Sequence, residues 1–459
     1  MGATYNSLER QQLDVPKCHP NTRIAVITRL ISWIRGEVEP DALILWLYGA
    51  AGAGKSAIAH SLAEICERFG CLLATFFFWK SATERNNISR FVATIACQLA
   101  RAIPASRLLI ETAIEADPMI FHQSVDTQLA KLVIEPLHRL HFTGFDFKDS
   151  PFVIIIDGLD ECRGIDIQSG LVKSLTAAFQ LCPLRSRILI ASRPEVYLQS
   201  TMNSSLIRPH LTRLALTDEY SPEDDIHRFL EDSFERIRRE HPLASYISPD
   251  WPSTDVLQEL TRKSSGQFIF ASTTVKYTGG DPYELPTRRL DVIRRLQPPR
   301  GEKDLPYAEL DSLYNHVLSK VHNPEGVKQV LGVLLIVNDW SEDGLFLNYA
   351  DAMDDFLFWQ PGETKACLSQ LASVIECPAG NDEIQILHAS LSDFMLDPSR
   401  SHRFYLCRES VLGNGLALAM RHWTRNLADE GCGVSFPILS ISNTQWKEHL
   451  RQNSMFTRR

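Results

Sequence analysis

The run Ala42–Tyr48 (ALILWLY) is apolar throughout and only seven residues long. It reads as a strand buried on both faces. Gly49-Ala50-Ala51-Gly52-Ala53-Gly54-Lys55-Ser56 follows directly and meets the pattern G-x-x-x-x-G-K-[ST] at every required position. Small residues let a backbone wrap a phosphate and turn several N–H groups toward it. Ala57–Arg68 then reads as a helix, whose N-terminal end adds positive potential at the same place. A chance glycine-rich turn would lack these flanks. Gly49, Gly52, Ala53 and Gly54 are thus candidates for a phosphate cradle. Lys55 is the side chain for the β- and γ-phosphates, and Ser56 the hydroxyl for Mg²⁺.

More short apolar strands follow, at Cys71–Trp79, Phe152–Ile156, Arg187–Ser192 and, more weakly, Leu211–Leu216. Helical patterns at Ile88–Ile103 and Val125–Leu140 lie between them. Such alternation predicts a parallel α/β sheet. The third strand ends in Asp157, placed to orient a Mg²⁺ shell. Asp160 and Glu161 follow, either to position or deprotonate an attacking water or to cap the next turn; Glu161 is the favoured base. The fourth strand runs into Arg193, whose planar fork suits γ-phosphate oxygens as well as a surface ion pair. Arg85, Arg90 and Arg185 are arginine-finger candidates by exposure alone, each otherwise a solvated charge.

Upstream, Thr22 reads as a helix N-cap for an amphipathic helix. Its stripe is Ile24, Ile27, Leu30, Ile31 and Ile34, and it ends near Gly36. Beyond residue 217 helices are expected at Ser221–Glu240, Thr254–Ser264, Phe268–Tyr277, Leu285–Leu296, Pro306–Val321 and Glu325–Val337. Pro298-Pro299 and Gly301 read as a hinge, and Gln445–Leu450 as the start of a further helix. Val374–Glu376 and Ile384–His388 read as short strands beside a helix at Ala389–Leu396.

The 459 residues are 44% hydrophobic, enough for several cores, and the formal net charge is −9. With no basic block, a nucleic-acid partner is not expected. Ten cysteines without a CxxC pair suit buried thiols in a reducing compartment, not a zinc site. No apolar run approaches the ~20 residues of a membrane helix, and no secretory signal is evident. A cytoplasmic protein with no membrane contact is the expectation.

Asp157-Gly158-Leu159-Asp160-Glu161 and Ser192-Arg193-Pro194-Glu195, in order behind the phosphate loop, resemble the NACHT family of signal-transducing P-loop ATPases (the STAND group). Cys18–Arg23, Phe76–Phe78, Thr94–Ala100, Gly266–Ala271 and Leu387–Phe394 are similar to the NLR-like NACHT set of mushroom-forming fungi and to the nephrocystin-3-like N-terminal domain. The resemblance spans roughly residues 5–410. It implies an adenine nucleotide with Mg²⁺ and a division into lead-in and N-terminal helix (1–40), nucleotide-binding domain (41–217), helical domain (218–300), winged-helix domain (301–400) and C-terminal helical segment (401–459). It also implies that His388 reaches the β-phosphate of ADP, against a core-histidine reading. Thr22 and Arg23 would lie on the adenine side of the pocket. The chain departs from the family at Gly266-Gln267-Phe268, where a base-contacting Gly-x-Pro turn has lost its proline; Phe268, Phe270 and Tyr277 read as core residues.

The function these features imply is an ATP/ADP-dependent switch with slow hydrolysis. Exchange to ATP would open the protein for homo-oligomerisation and for an effector or ligand not readable from the residues. The alternatives are a steadily cycling remodelling ATPase, a scaffold with a structural nucleotide and, more weakly, a small-molecule kinase. Relatives usually carry further domains on both sides, so a stripped member or a truncated gene product is also an expectation.

Overall fold

The computed structural model describes residues 4, 17–80, 85–147, 152–216, 220, 222–298, 307–337, 347–377 and 383–428. The lead-in before residue 17, Pro299 and Gly301 of the expected hinge, and the segment from Gln445 lie outside these.

Five strands form one sheet: β1 (Ile44–Tyr48), β2 (Leu72–Phe77), β3 (Phe152–Asp157), β4 (Ser186–Ser192) and β5 (Leu211–Ala215). Every pairing is parallel and the spatial order is β2-β3-β4-β1-β5. The strands fall where the apolar runs predict; β1, β2 and β5 are shorter than expected by one or two residues at one or both ends, while β3 and β4 each run one residue longer, to Asp157 and from Ser186. All six residues of β2 and all seven of β4 are buried. This is the condition that makes parallel strands continuously apolar. Trp46, Phe76, Ile154, Ile156, Ile188 and Ile190 enter one core with the helices Phe91–Ala102 and Ile165–Gln180. Leu45, Leu47, Phe77, Val153, Ile155 and Leu189 enter the other with Ile24–Arg35 and Lys55–Arg68.

The helices depart from expectation in four ways. The stripe of Ile24–Arg35 is Val26, Leu30, Trp33 and Ile34, while Ile24 is 59% exposed. The Trp33 indole sets this phase by donating to the Ala42 carbonyl at 3.2 Å. Thr22 does not cap this helix; Arg23 holds the N-cap position at φ 56°, and the Thr22 hydroxyl donates to His19 O at 2.7 Å. The segment expected at Val125–Leu140 runs on to Phe142 through a π-helical turn at Ala130–Ile134. Helices at Arg107–Ala116, Ile165–Gln180 and Val196–Met202 are additional. In Ile165–Gln180, Leu171, Leu175 and Phe179 are buried at a spacing of four, behind a first turn whose exposed Ile165 and Ile167 mask the pattern.

By its internal contacts the chain divides into two compact units. The first holds residues 1–313 together with His388–Ser390. After the last strand in sequence it adds helices Pro222–Glu240, Thr254–Ser264, Phe268–Gly279 and Pro286–Arg295. The second holds Tyr314–Leu387 and the chain from Leu391 onward. It contains helices Pro324–Gly332, Ala350–Leu357, Glu363–Leu368 and Arg408–Ala428 and an antiparallel two-stranded ladder of Ile375–Glu376 with Gln385–Ile386. Tyr314 and Phe394 pack there with ring centroids 5.5 Å apart. Among the described residues no helix is long and apolar enough to cross a membrane.

Candidate functional site

Parallel register brings the chemistry-bearing strand ends into one row. Tyr48 lies opposite Ser192, and Ala191 opposite Asp157. The chain therefore leaves β1, β4 and β3 at the same edge, through Gly49, Arg193 and Gly158. Ligands of open parallel sheets bind at this carboxyl edge.

At the end of β1, Gly52 and Gly54 have φ of 78° and 91°, a region that suits glycine. A Cβ on Gly52 would stand 2.2 Å from Ile269 Cγ2, so this position is closed to a side chain on a second count. The Lys55 ammonium donates to Gly49 O at 2.8 Å and Ala50 O at 2.9 Å. Burial lowers its pKa; Asp160 opposes this most, Arg193 adds to it, and Asp157 and Glu161 oppose it further. Ser56 is the second residue of the helix Lys55–Arg68. Ala53 presents its carbonyl to Arg23, whose Nη2 donates at 2.9 Å.

Asp157 ends β3 and is 3% exposed. Gly158 then turns the chain at φ 69°. The two acids that follow take different partners. Asp160 Oδ1 accepts from the Arg193 backbone N–H at 3.1 Å, and Oδ2 lies 3.2 Å from Arg193 Nε. Glu161 Oε2 accepts from the Lys80 N–H at 3.0 Å. Its pKa is pushed up to about 7, chiefly by burial, then by the Asp160 charge; the Lys80 bond opposes the rise. Ser192 is fully buried and receives the Trp46 indole N–H at 2.8 Å.

Arg23 and Thr22 are both buried, at 5% and 3% exposure. The Arg23 backbone N–H donates to Asp225 Oδ2 at 3.0 Å, and its guanidinium lies 4.8 Å from the Phe268 ring centre. Phe268 in turn packs near Phe229, and Phe229 near His19. Phe270 is core, as expected, whereas Phe268 and Tyr277 are half-buried. Arg85 is not exposed; it is 4% accessible, with its guanidinium 5.1 Å from the Trp79 ring centre.

His388 groups with this unit and stands beside the loop: its Cε1 is 3.8 Å from a Cβ built on Gly52. The Ser390 N–H donates to His388 Nδ1 at 3.1 Å. Nδ1 is therefore an acceptor, and the neutral ring carries its proton on Nε2. Burial, with Arg193 and Lys55 adding to it, pushes its pKa down to about 3, so the ring stays neutral near pH 7.

Lys55, Asp157, Asp160, Glu161, Arg193, Arg23 and His388 thus converge on one strand edge. Thr22 lies next to them but spends its hydroxyl on His19. The donor set fits a polyphosphate beside a divalent cation: an ammonium and left-handed glycines on one side, a carboxylate and a hydroxyl on the other. Sequence reasoning missed Lys80, Ile269 and Asp225. Only Asp225 leaves a trace, as part of the acidic first turn of Pro222–Glu240.

Residues 28–193 match the family model described as "Nephrocystin 3, N-terminal". No curated protein matches the chain in sequence. Among solved structures, Cdc6p from Pyrobaculum aerophilum is similar at 14% identity and a TM-score of 0.35, over 82% of this chain and 92% of that one. A chain of the Drosophila ORC structure bound to DNA is similar at 13% identity and a TM-score of 0.35, over 76% and 84%. A loop with two left-handed glycines ahead of Lys55, an acid closing the third strand, and a family match that ends on Arg193 agree: this chain carries a NACHT-type P-loop NTPase domain of the nephrocystin 3 N-terminal family.

Proposed function

We propose that the chain is an adenine-nucleotide switch that distinguishes ADP from ATP and hydrolyses ATP slowly. The observation that supports this most is the convergence of two different phosphate-directed groups on one loop. His388 offers a neutral Nε2–H donor beside Gly52, and Arg193 is held at the end of β4 by Asp160. In this reading the cradle Gly49–Ser56 and the Lys55 ammonium bind the phosphates common to both nucleotides. His388 favours ADP through its β-phosphate, and Arg193 meets the γ-phosphate of ATP. Ser56 and Asp157 would hold Mg²⁺, which supplies neutralisation of phosphate charge. Arg23 fixes the loop from outside by its bond to Ala53 O, placing its guanidinium and Phe268 on the base side.

Asp160 is engaged by both the backbone N–H and the guanidinium of Arg193, so it serves as that residue's anchor. Glu161 remains the general base. Its carboxylate is oriented by the Lys80 N–H, and it takes the proton of the attacking water once ionised. A base with a pKa near 7 is about half ionised at neutral pH, the range in which a general base is effective.

A switch requires unequal binding of the two nucleotides to its two states. Moving from mostly closed to mostly open takes about 5.5 kcal/mol of differential binding, part of which contacts between copies would supply. Assembly into a homo-oligomer in the ATP form, a protein effector, a cytoplasmic location and the five-part division with a winged-helix domain over 301–400 belong to this reading. The test is the nucleotide content of the purified protein, with particle mass measured in Mg-ADP and in Mg-ATP. Retained ADP with ATP-driven assembly is the expected result. Rapid steady hydrolysis by a monomer would replace the switch with a cycling enzyme.

His388→Ala is expected to weaken Mg-ADP about tenfold, the loss of one hydrogen bond from a buried donor to a charged group. Mg-ATP affinity should change less than about twofold. Isothermal titration of both nucleotides checks this, and parallel losses would remove His388 from the discrimination.

A further inference from the structure

The turn that carries Asp160 and Glu161 does not hold itself. Gln168 sits in the first turn of the helix Ile165–Gln180 and is 3% exposed. Its Nε2 donates to the Cys162 carbonyl at 2.5 Å and to the Asp160 carbonyl at 3.4 Å. Both partners only accept, so the amide nitrogen must face them and Oε1 faces the other way. There it accepts the Tyr197 hydroxyl at 2.7 Å. Tyr197 is the second residue of the helix Val196–Met202, four residues beyond Arg193. The Asp160 carboxylate closes the circuit on the Arg193 N–H and Nε. A second peg joins the same two helices where the Thr201 and Ser169 hydroxyls hydrogen-bond at 2.9 Å, Thr201 giving its own proton to the Tyr197 carbonyl.

From this closed ring we infer that Gln168, braced by Tyr197, is a positioning residue that fixes the Asp160–Glu161 turn relative to Arg193. The inference rests on the reading of the site given above. Gln168 directs its polar atoms to the Cys162 and Asp160 carbonyls and the Tyr197 hydroxyl. It acts because the acid turn leaves β3 and Arg193 leaves β4 on separate loops, joined directly by the Asp160–Arg193 pair, and Gln168 adds a second, buried tie between them. Displacement of a reacting group by about 1 Å can cost up to 10²-fold in rate. The buried amide bonds both the acid turn and the helix after Arg193. Burying an amide is favourable only when its hydrogen bonds are made, and all of these are.

The experiment is single-turnover hydrolysis of ATP with Mg²⁺ by the full chain, together with equilibrium binding of Mg-ADP. Gln168→Leu keeps most of the volume and removes every polar contact. It should slow the single turnover about tenfold and change the Mg-ADP Kd less than about twofold, because Lys55 and the cradle are untouched. Tyr197→Phe, which keeps the packing of the ring, should slow it about threefold, the worth of one neutral hydrogen bond. The double variant should be no slower than Gln168→Leu, as expected of residues that act as a unit. If Gln168→Leu does not fold, Tyr197→Phe decides alone. An unchanged rate, losses that multiply in the double variant, or a Kd for Mg-ADP that rises in step with the rate loss would each overturn the assignment. Wild-type protein that binds neither nucleotide overturns the site reading and the strut together; wild-type turnover unaltered by Gln168→Leu overturns the strut alone.

Discussion

Replacing Lys55 by alanine is expected to weaken both Mg-ADP and Mg-ATP by at least about 100-fold, the value of two charge-assisted hydrogen bonds at about 1.5–3 kcal/mol each. The ammonium lies inside the loop, on the Gly49 and Ala50 carbonyls, and burial already works against its charge. A phosphate in the cradle would give that charge a better partner than two neutral carbonyls. Asp157 and Glu161 lie nearby, and Asp160 is shared with Arg193, so without Lys55 a polyphosphate would face these acids with one cation fewer. Lys55→Arg should restore little, because a planar fork is longer than an ammonium and does not fit a turn built for a point charge. Fluorescent-nucleotide titration of folded variants measures this. Affinity within about threefold of wild type in Lys55→Ala would refute the phosphate role of the loop.

Glu161→Gln should bind Mg-ATP with near-normal affinity and hydrolyse it about 10²–10⁴ times more slowly, the usual contribution of a general base. Gln keeps the acceptor for the Lys80 N–H, so the turn stays in place. The wild-type rate should rise with pH through about 7, where the buried carboxyl ionises, and level off above it. The same group sets a stability trend of opposite sense. Its folded-state pKa, about 7, lies above the ordinary carboxylate value of about 4.5. The folded chain therefore holds the proton more tightly than the unfolded chain does. That contribution is complete below about pH 4.5 and is lost as pH rises through 7. Glu161→Gln carries no such penalty, so its urea midpoint should exceed that of wild type at pH 8 and the difference should shrink by pH 6. A flat pH–rate profile, or no change in turnover on substitution, would move the base elsewhere.

Much of the site was legible in the residues because its key signals are local. The loop Gly49–Ser56 is one unbroken segment whose backbone requirements select glycine, lysine and serine at fixed spacing. Asp157 and Arg193 were readable because each ends a strand whose apolar run is unmistakable. The buried strands could be found for the same reason, since burial on both faces leaves no polar positions to confuse the pattern. Amphipathic helices whose first turn exposes apolar residues were harder, as Ile165 and Ile167 of Ile165–Gln180 show, and the phase of Ile24–Arg35 shifted because one indole found the Ala42 carbonyl.

By itself, then, the sequence determined that a phosphate cradle stands at the end of a buried parallel strand, with an acid and an arginine ending two others. Only the tertiary structure decided that β4 lies between β1 and β3, which sets Arg193 between the cradle and the acids. It also decided that Asp160 is taken by Arg193 while Glu161 is not, that Arg23 grips Ala53, and that Gln168 ties two loops together. Apart from the short reaches of Gln168 to Cys162 and Asp160, each of these joins residues 29 or more positions apart or depends on which strand neighbours which. Local propensity carries no record of such choices; packing and the need to satisfy buried polar groups make them.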